Sequence, residues 1–287
     1  MKLVIAGAFG KLGSDLLRQA IKEGYEVVAV DQVIRKIEGL DPGSYQAKQI
    51  DITKTESLMG ICEGADAVIT TVGLTKTSAT LTNYDIDYHG NKNLLDEAVR
   101  AKVKKFVYIS VLKADGREDV PMLHAKYLME QELKKSGISY VIHRPTGYFY
   151  DIAHVFMPMI EKGKVTLLGK KPVHANVIDT ADFACFIMEH LKDLNVTYDV
   201  GGKETYSYEE IARMFFAAAG KTAQISYAPP WLFDVLAKVN KWKKNGKEAI
   251  IKFSKWTLSN EMVGDTKYGE RSFKEYVRTC YQPNNKH

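Results

Sequence analysis

Short apolar runs alternate with amphipathic stretches through the first half of the chain. LVIA (3–6), YEVVAV (25–30), DAVIT (66–70), KFVYIS (105–110) and SYVIH (139–143) are continuous runs rich in Val and Ile, which predicts strands buried on both faces of a parallel sheet. Between them, LGSDLLRQAIKEG, GNKNLLDEAVRAK and HAKYLMEQELKKSG repeat their apolar positions at helical spacing. The first stops at Gly24, and the last stops at Gly137 with lysines in its final turn, as helix ends do. Strand–helix alternation of this kind predicts an α/β fold, a Rossmann-like doubly wound parallel sheet with ligands at the carboxyl ends of its strands.

The rhythm changes after Arg144. RPTGYFYDI is followed by a helical stretch over 151–162, a short strand at VTLL and another through VHANVI. DTADFACFIMEHL then reads as a helix capped by Asp179 or Thr180. Further strands and helices follow from Thr197, among them YSYEEIARMFFAAAG. These patterns divide the chain into a nucleotide-binding domain over 1–145 and a smaller α/β lobe for substrate or partner over 146–287, with 173–193 able to pack back on the first domain. Residues 231–256 mix aromatics with lysines. They read as two helices broken near Asn245-Gly246, covering an apolar pocket with their lysines outward; contact with a membrane surface is the weaker alternative.

Composition narrows the function classes. At 287 residues and 45% hydrophobic content the chain can bury a sizeable core. A formal charge of +5, read as dispersed, is too small to argue for nucleic acid. Cys62, Cys185 and Cys280 are far apart and odd in number, which predicts reduced thiols rather than a disulfide framework. His143 and His174 lack metal-ligand spacing and are expected as hydrogen-bonded interior or edge residues, so no metal site is expected. No secretory signal or membrane span is evident, and a cytoplasmic protein is expected.

GAFGKLG carries the strongest chemical signal. Gly7 suits the turn, Gly10 the approach of a pyrophosphate and Gly13 close packing of helix on sheet, with Phe9, Lys11 and Leu12 completing the loop at a helix amino terminus. Asp31 ends the second strand 18 positions after Gly13. A carboxylate there accepts the hydrogen bonds of an adenosine ribose diol and repels a 2′-phosphate, favouring NAD over NADP. Arg35 and Lys36 pull the other way, so NADP stays open.

GxxGxxG, the pair DI at 51–52, TTVG at 70–73, YHGNKNLLDEA at 88–98, KKFVYIS at 104–110 and SGISYVIHRPTGYF at 136–149 together resemble the atypical short-chain dehydrogenase/reductases, in particular their NmrA-like, NAD(P)-binding branch. The resemblance covers roughly residues 1 to 200 and implies positions for the cofactor. Asp51 and Ile52 would flank the adenine. Thr71, Val72 and Gly73 would pass the ribose and phosphates, Ser110 would belong to the cofactor site, and Pro145, Thr146 and Gly147 would approach the nicotinamide.

PMLHAKYLME (121–130) departs from the family pattern. Lys126 and Glu130 match the catalytic helix, but Met122 stands where orthodox members carry tyrosine, and a thioether donates no proton. Val111 and Leu112 follow Ser110 where a serine-rich run would supply the catalytic hydroxyl. Lys126 therefore heads the catalytic candidates, holding ribose hydroxyls and stabilising developing negative charge. His124, should the helix begin after it, and Tyr148 are the candidate proton donors. Two functions follow from the resemblance. One is an NAD(P)-dependent oxidoreductase acting on a small or medium organic substrate; the other is a non-catalytic redox sensor with a protein partner.

Overall fold

The structure, a computed structural model, describes residues 1–74, 80–243 and 246–282; the expected helix break at Asn245 lies outside them. Backbone contacts divide the chain into two compact units, Met1–Arg144 with Phe183–Tyr198, and Pro145–Asp182 with the chain from Asp199 onward.

In the first unit β1 (Lys2–Ala6), α1 (Lys11–Lys22), β2 (Glu26–Asp31), β3 (Gln46–Gln49), α2 (Thr55–Leu58) and β4 (Ala67–Thr70) come first. A π-helical segment, Tyr84–Gly90, then runs directly into α3 (Asn91–Arg100), followed by β5 (Lys105–Ile109), α4 (Pro121–Lys135) and β6 (Ser139–Pro145). The continuous apolar runs occupy the sheet interior, where every residue of β4 and β5 is buried. Beneath α3 and α4, Leu94, Phe106, Met129 and Leu133 are fully buried, and each such side chain contributes about 1.5–3 kcal/mol relative to exposure. Ala6 is in register with both Val30 and Thr70, so β1, β2 and β4 end level. Chain order reverses between β1 and β4, which opens a crevice at their carboxyl ends.

The second unit contains α5 (Phe149–Glu161), β7 (Val165–Leu168) and β8 (His174–Ala175). α6 (Thr180–Glu189) and β9 (Val196–Gly201) each have residues in both units; Asp179 supplies the α6 cap, its carboxylate accepting from Ala181 N at 2.9 Å. Then come β10 (Tyr206–Ser207), α7 (Tyr208–Ala218), β11 (Ile225–Ala228), α8 (Trp231–Trp242), α9 (Lys247–Thr257), β12 (Thr266–Lys267) and α10 (Phe273–Thr279). Ser207 and Glu210 form a reciprocal capping box that starts α7. Phe156 stacks on Phe215 at 5.7 Å, and Phe149 meets Phe273 edge-on at 5.0 Å, within the aromatic core of this unit. The large sheet has eight strands in the order β3-β2-β1-β4-β5-β6-β9-β12, the Rossmann-like arrangement predicted from the alternation.

Two expectations are corrected. His143 is fully buried, but among the described residues neither ring nitrogen has a hydrogen-bond partner; the imidazole is instead stacked on Tyr198 and edge-on to Phe183 and Phe186. His174 does pair, with Glu261 at 3.3 Å. The second correction concerns α8, which does not turn its apolar side inward. Ala237 alone among its residues is buried, while Trp231 and Trp242 are 62% and 83% exposed.

Candidate functional site

The glycine loop divides its labour. Gly7 has φ +77, and a Cβ there would lie 2.6 Å from the Thr71 hydroxyl; at Gly13 a Cβ would lie 1.9 Å from the Gly7 carbonyl. Both are required by the protein's own backbone. Gly10 is different. Its backbone angles are extended, it is exposed, and a Cβ would meet only the Gly7 oxygen, at 3.3 Å. A side chain at Gly10 would thus meet far less of the fold than one at Gly7 or Gly13, and the space beside it leads to the amino terminus of α1, where among the described residues no side chain caps the first turn. Such a terminus suits a phosphate. Phe9 and Leu12 are buried beside it, whereas Lys11 is exposed.

Asp31 closes the adjoining side. Its two carboxylate oxygens accept from Phe9 N at 3.0 Å and Gln32 N at 2.7 Å, one bond each, so both keep acceptor capacity. Arg35 and Lys36 are exposed just beyond. Asp51 turns its carboxylate to the Thr53 amide and hydroxyl, which hold it below the usual carboxylate range. Ile52 packs beneath Gly90, and its carbonyl accepts from Asn93.

Beyond β4 the chain is fixed by buried polar groups. The Thr71 hydroxyl donates to Ala6 O and Gly7 O. Asn91, fully buried, accepts from the Thr70 hydroxyl at 2.7 Å and donates to the Val72 and Ile86 carbonyls. Tyr108 donates to the Asp87 carbonyl, and burial keeps its phenol far above its ordinary pKa and therefore protonated. Asn91 and Tyr108 thereby satisfy carbonyls of the π-helical turn, a distortion frequent at functional sites.

That turn delivers Asp87 to Lys126. The ammonium lies 3.2 Å from the Asp87 carboxylate and 3.1 Å from the Ile109 carbonyl, with its side chain 12% exposed, and stands 5.4 Å from the Tyr108 ring centroid. Asn83 also donates to Asp87, at 2.9 Å. Gly73 brings bare backbone alongside, since a Cβ there would sit 3.0 Å from Asp87 and 3.6 Å from Lys126. At 3.2 Å the gross attraction of this pair is about 5 kcal/mol at an effective dielectric of ~20, much of it offset by desolvation.

The candidate donors separate. α4 starts at Pro121, before His124 rather than after it, and His124 Nδ1 lies 2.9 Å from the Tyr84 hydroxyl. Tyr84 escaped the sequence reading, as did Asp87 and Asn91; their one signal was the NYDIDYHGNKNL stretch, whose register depends on the π-helical turn. Ser110 is 3% exposed, and its hydroxyl donates to Glu130 at 2.5 Å, which in turn holds Arg144. Met122 is half-buried in the first turn of α4. Pro145, Thr146, Gly147 and Tyr148 belong to the second unit. There the Thr146 hydroxyl donates to Asn176 O, Gly147 O accepts from Ile178 N, and Tyr148 stacks on Tyr150 at 5.6 Å.

Known proteins of similar sequence include the photosystem II assembly factor Ycf39 of Synechocystis sp., 29% identical over 232 residues, 80% of this chain and 71% of that protein. Ycf39 of Guillardia theta is 28% identical over 257 residues, covering 87% of this chain and 81% of its own length. Among solved structures, the Citrobacter sp. triphenylmethane reductase superposes with a TM-score of 0.76 at 17% identity, over 98% of this chain and 99% of that one. The NADPH-dependent quinone oxidoreductase QOR2 of Escherichia coli gives 0.70 at 16% identity, over 98% and 100%. At such identities the likeness is one of fold. The sequence profile of the NmrA-like family matches residues 1–272, and with the glycine loop, the level strand ends and the α4 lysine in place, the chain belongs to that family.

Proposed function

We propose that this protein binds a nicotinamide dinucleotide at the carboxyl edge of the first unit's sheet and transfers hydride to or from a small or medium apolar organic substrate. The observation that carries this reading is Lys126, a nearly buried cation held at the end of β5 by Asp87 and the Ile109 carbonyl, on the same edge as the open Gly10 loop. The donor set fits the cofactor. Gly10 and the first turn of α1 would hold the pyrophosphate, Asp31 the adenosine ribose diol, and Lys126 the nicotinamide ribose. Asp31 favours NAD over NADP. QOR2 is described in complex with NADPH and a Thermus thermophilus epimerase in complex with NAD, so likeness of fold does not choose between them.

The bound nicotinamide would supply or accept the hydride. Lys126 would stabilise negative charge developing on the substrate oxygen. Proton donation falls to Tyr84 and His124 in place of the missing tyrosine. Tyr84 is three residues before Asp87 and His124 two before Lys126, so the hydrogen-bonded pair sits on the two elements that also carry the Lys126–Asp87 pair. The test is calorimetric titration with NADH and NADPH, followed by reduced-nicotinamide consumption over quinones, enones and triphenylmethane dyes. Affinity at about micromolar level with turnover above background is expected; absence of binding to either nucleotide refutes the reading.

A second reading, a cofactor-binding regulator or assembly factor without turnover, is favoured by Met122 and by the bond that commits Ser110 to Glu130. The Ycf39 relatives are described as photosystem II assembly factors. Nucleotide binding with background consumption over the whole panel is its expected signature.

A further inference from the structure

The chain's net charge is not dispersed. Residues 231–256 hold seven lysines against two acidic residues, the entire excess of +5, while the remainder is balanced at 33 charges of each sign. The same 26 residues contain all three tryptophans of the protein. We propose that α8 and α9 form an interfacial element that seats on the surface of an anionic lipid bilayer.

The geometry of α8 supports this. Trp231, Leu232, Val235, Leu236, Val239 and Trp242 are all between 38% and 83% exposed. At 100° per residue they fill a continuous arc of about 140°, with Lys238 on its border, exposed Lys243 following Trp242 at its carboxyl end, and Phe233 and Ala237 on the opposite, inward side. A soluble surface helix of this kind would turn that arc toward the core; this one turns it outward. Trp231 and Trp242 stand at its two ends, where amphipathic rings suit the headgroup region.

Charge selects the occupant. Asp234 is held by Lys255 at 2.6 Å and Glu248 by Lys252 at 2.8 Å, so both acidic groups of the segment are neutralised within it. Among the described residues, Lys238, Lys241 and Lys243 have no carboxylate partner. An apolar arc bordered by unpaired lysines complements acyl chains beneath anionic headgroups. The element would lie in the interface rather than cross it: α8 is only about 18 Å long, and no described helix is long and apolar enough to span.

Co-sedimentation of the full chain with phosphatidylcholine vesicles containing about one third phosphatidylglycerol tests the proposal. Binding at low ionic strength is expected, with blue-shifted tryptophan emission and at least about tenfold weaker binding to pure phosphatidylcholine. Leu236→Glu and the double variant Trp231→Ser/Trp242→Ser should each lose about tenfold or more, whereas Met59→Ser, at an exposed apolar position of the first unit, should bind like the parent. Thermal denaturation checks that each variant is folded. The proposal is overturned if the parent does not sediment with anionic vesicles, or if Leu236→Glu binds unchanged. It is equally overturned if light scattering finds a dimer that Leu236→Glu dissociates while vesicles stay unbound, since the arc would then belong to a second copy.

Discussion

Gly10 and Gly13 look alike in the sequence, but alanine at each should fail in a different way. At Gly13 the new Cβ would lie 1.9 Å from the Gly7 carbonyl oxygen and 2.9 Å from Ala8 Cα, both backbone atoms of the glycine turn, so α1 must move off the sheet. Overpacking against backbone that cannot yield costs about 1–3 kcal/mol or more. At about 2–4 °C per kcal/mol, Gly13→Ala should lower Tm by about 2–12 °C. At Gly10 the Cβ meets one oxygen at 3.3 Å, a contact only a few tenths of an ångström too close, and φ −75 with ψ 176 suits alanine, so Tm should fall much less than in Gly13→Ala. Yet that methyl would occupy the space where a pyrophosphate meets the uncapped first turn, and NADH affinity should fall by at least about 100-fold. Differential scanning calorimetry and titration calorimetry on the two variants read both quantities. Parental NADH affinity in Gly10→Ala, or equal destabilisation by the two substitutions, refutes the division of labour.

Other consequences are equally open to measurement. Asp31→Ala should weaken NADH binding about 10–100-fold by calorimetry, through loss of charge-assisted bonds to the diol; unchanged affinity removes Asp31 from the site. Lys126→Gln alone should destabilise the fold by about 3–5 kcal/mol in urea titrations, because Asp87 would be left buried and unpaired, and Asp87→Asn in the same chain should restore most of that loss. If hydride transfer is found, Tyr84→Phe should lower kcat about 100-fold with little change in KM; an unchanged kcat assigns the proton elsewhere. His143 predicts a pH effect. Burial pushes its imidazole down to about 3, so its contribution to stability is complete above the unfolded pKa of ~6.5 and is lost as pH falls from there toward 3. Near pH 5 the loss is about 2 kcal/mol, and His143→Phe should remove that part of the difference between urea titrations at about pH 5 and pH 8.

The local patterns carried the fold a long way. Continuous Val/Ile runs can satisfy themselves only inside a parallel sheet, and GAFGKLG after the first of them places a turn and a helix start, because those demands are local: steric freedom at Gly7 and the absence of a Cβ at Gly13. Asp31 and Lys126 were legible for the same reason, each at a fixed distance along the chain from a strand or a helix start. His143 was misread because a strand pattern says that a side chain is buried but not what surrounds it, and its aromatic cage comes from Phe183, Phe186 and Tyr198, forty or more residues away. α8 was misread because helical periodicity gives the width of an apolar face but not the direction it points.

By itself, then, the sequence determined the strand–helix order, the glycine turn and the strand and helix that bear Asp31 and Lys126, all set by backbone sterics and hydrophobic period within a few residues. Tertiary structure decided what those residues meet. It gave Lys126 to Asp87 through a π-helical turn whose loose carbonyls Asn91 and Tyr108 must satisfy, gave the Ser110 hydroxyl to Glu130, joined Tyr84 to His124, and left the α8 stripe facing outward. Each of these depends on hydrogen-bond partners or burial contributed by distant segments, and no local spacing specifies which segment arrives.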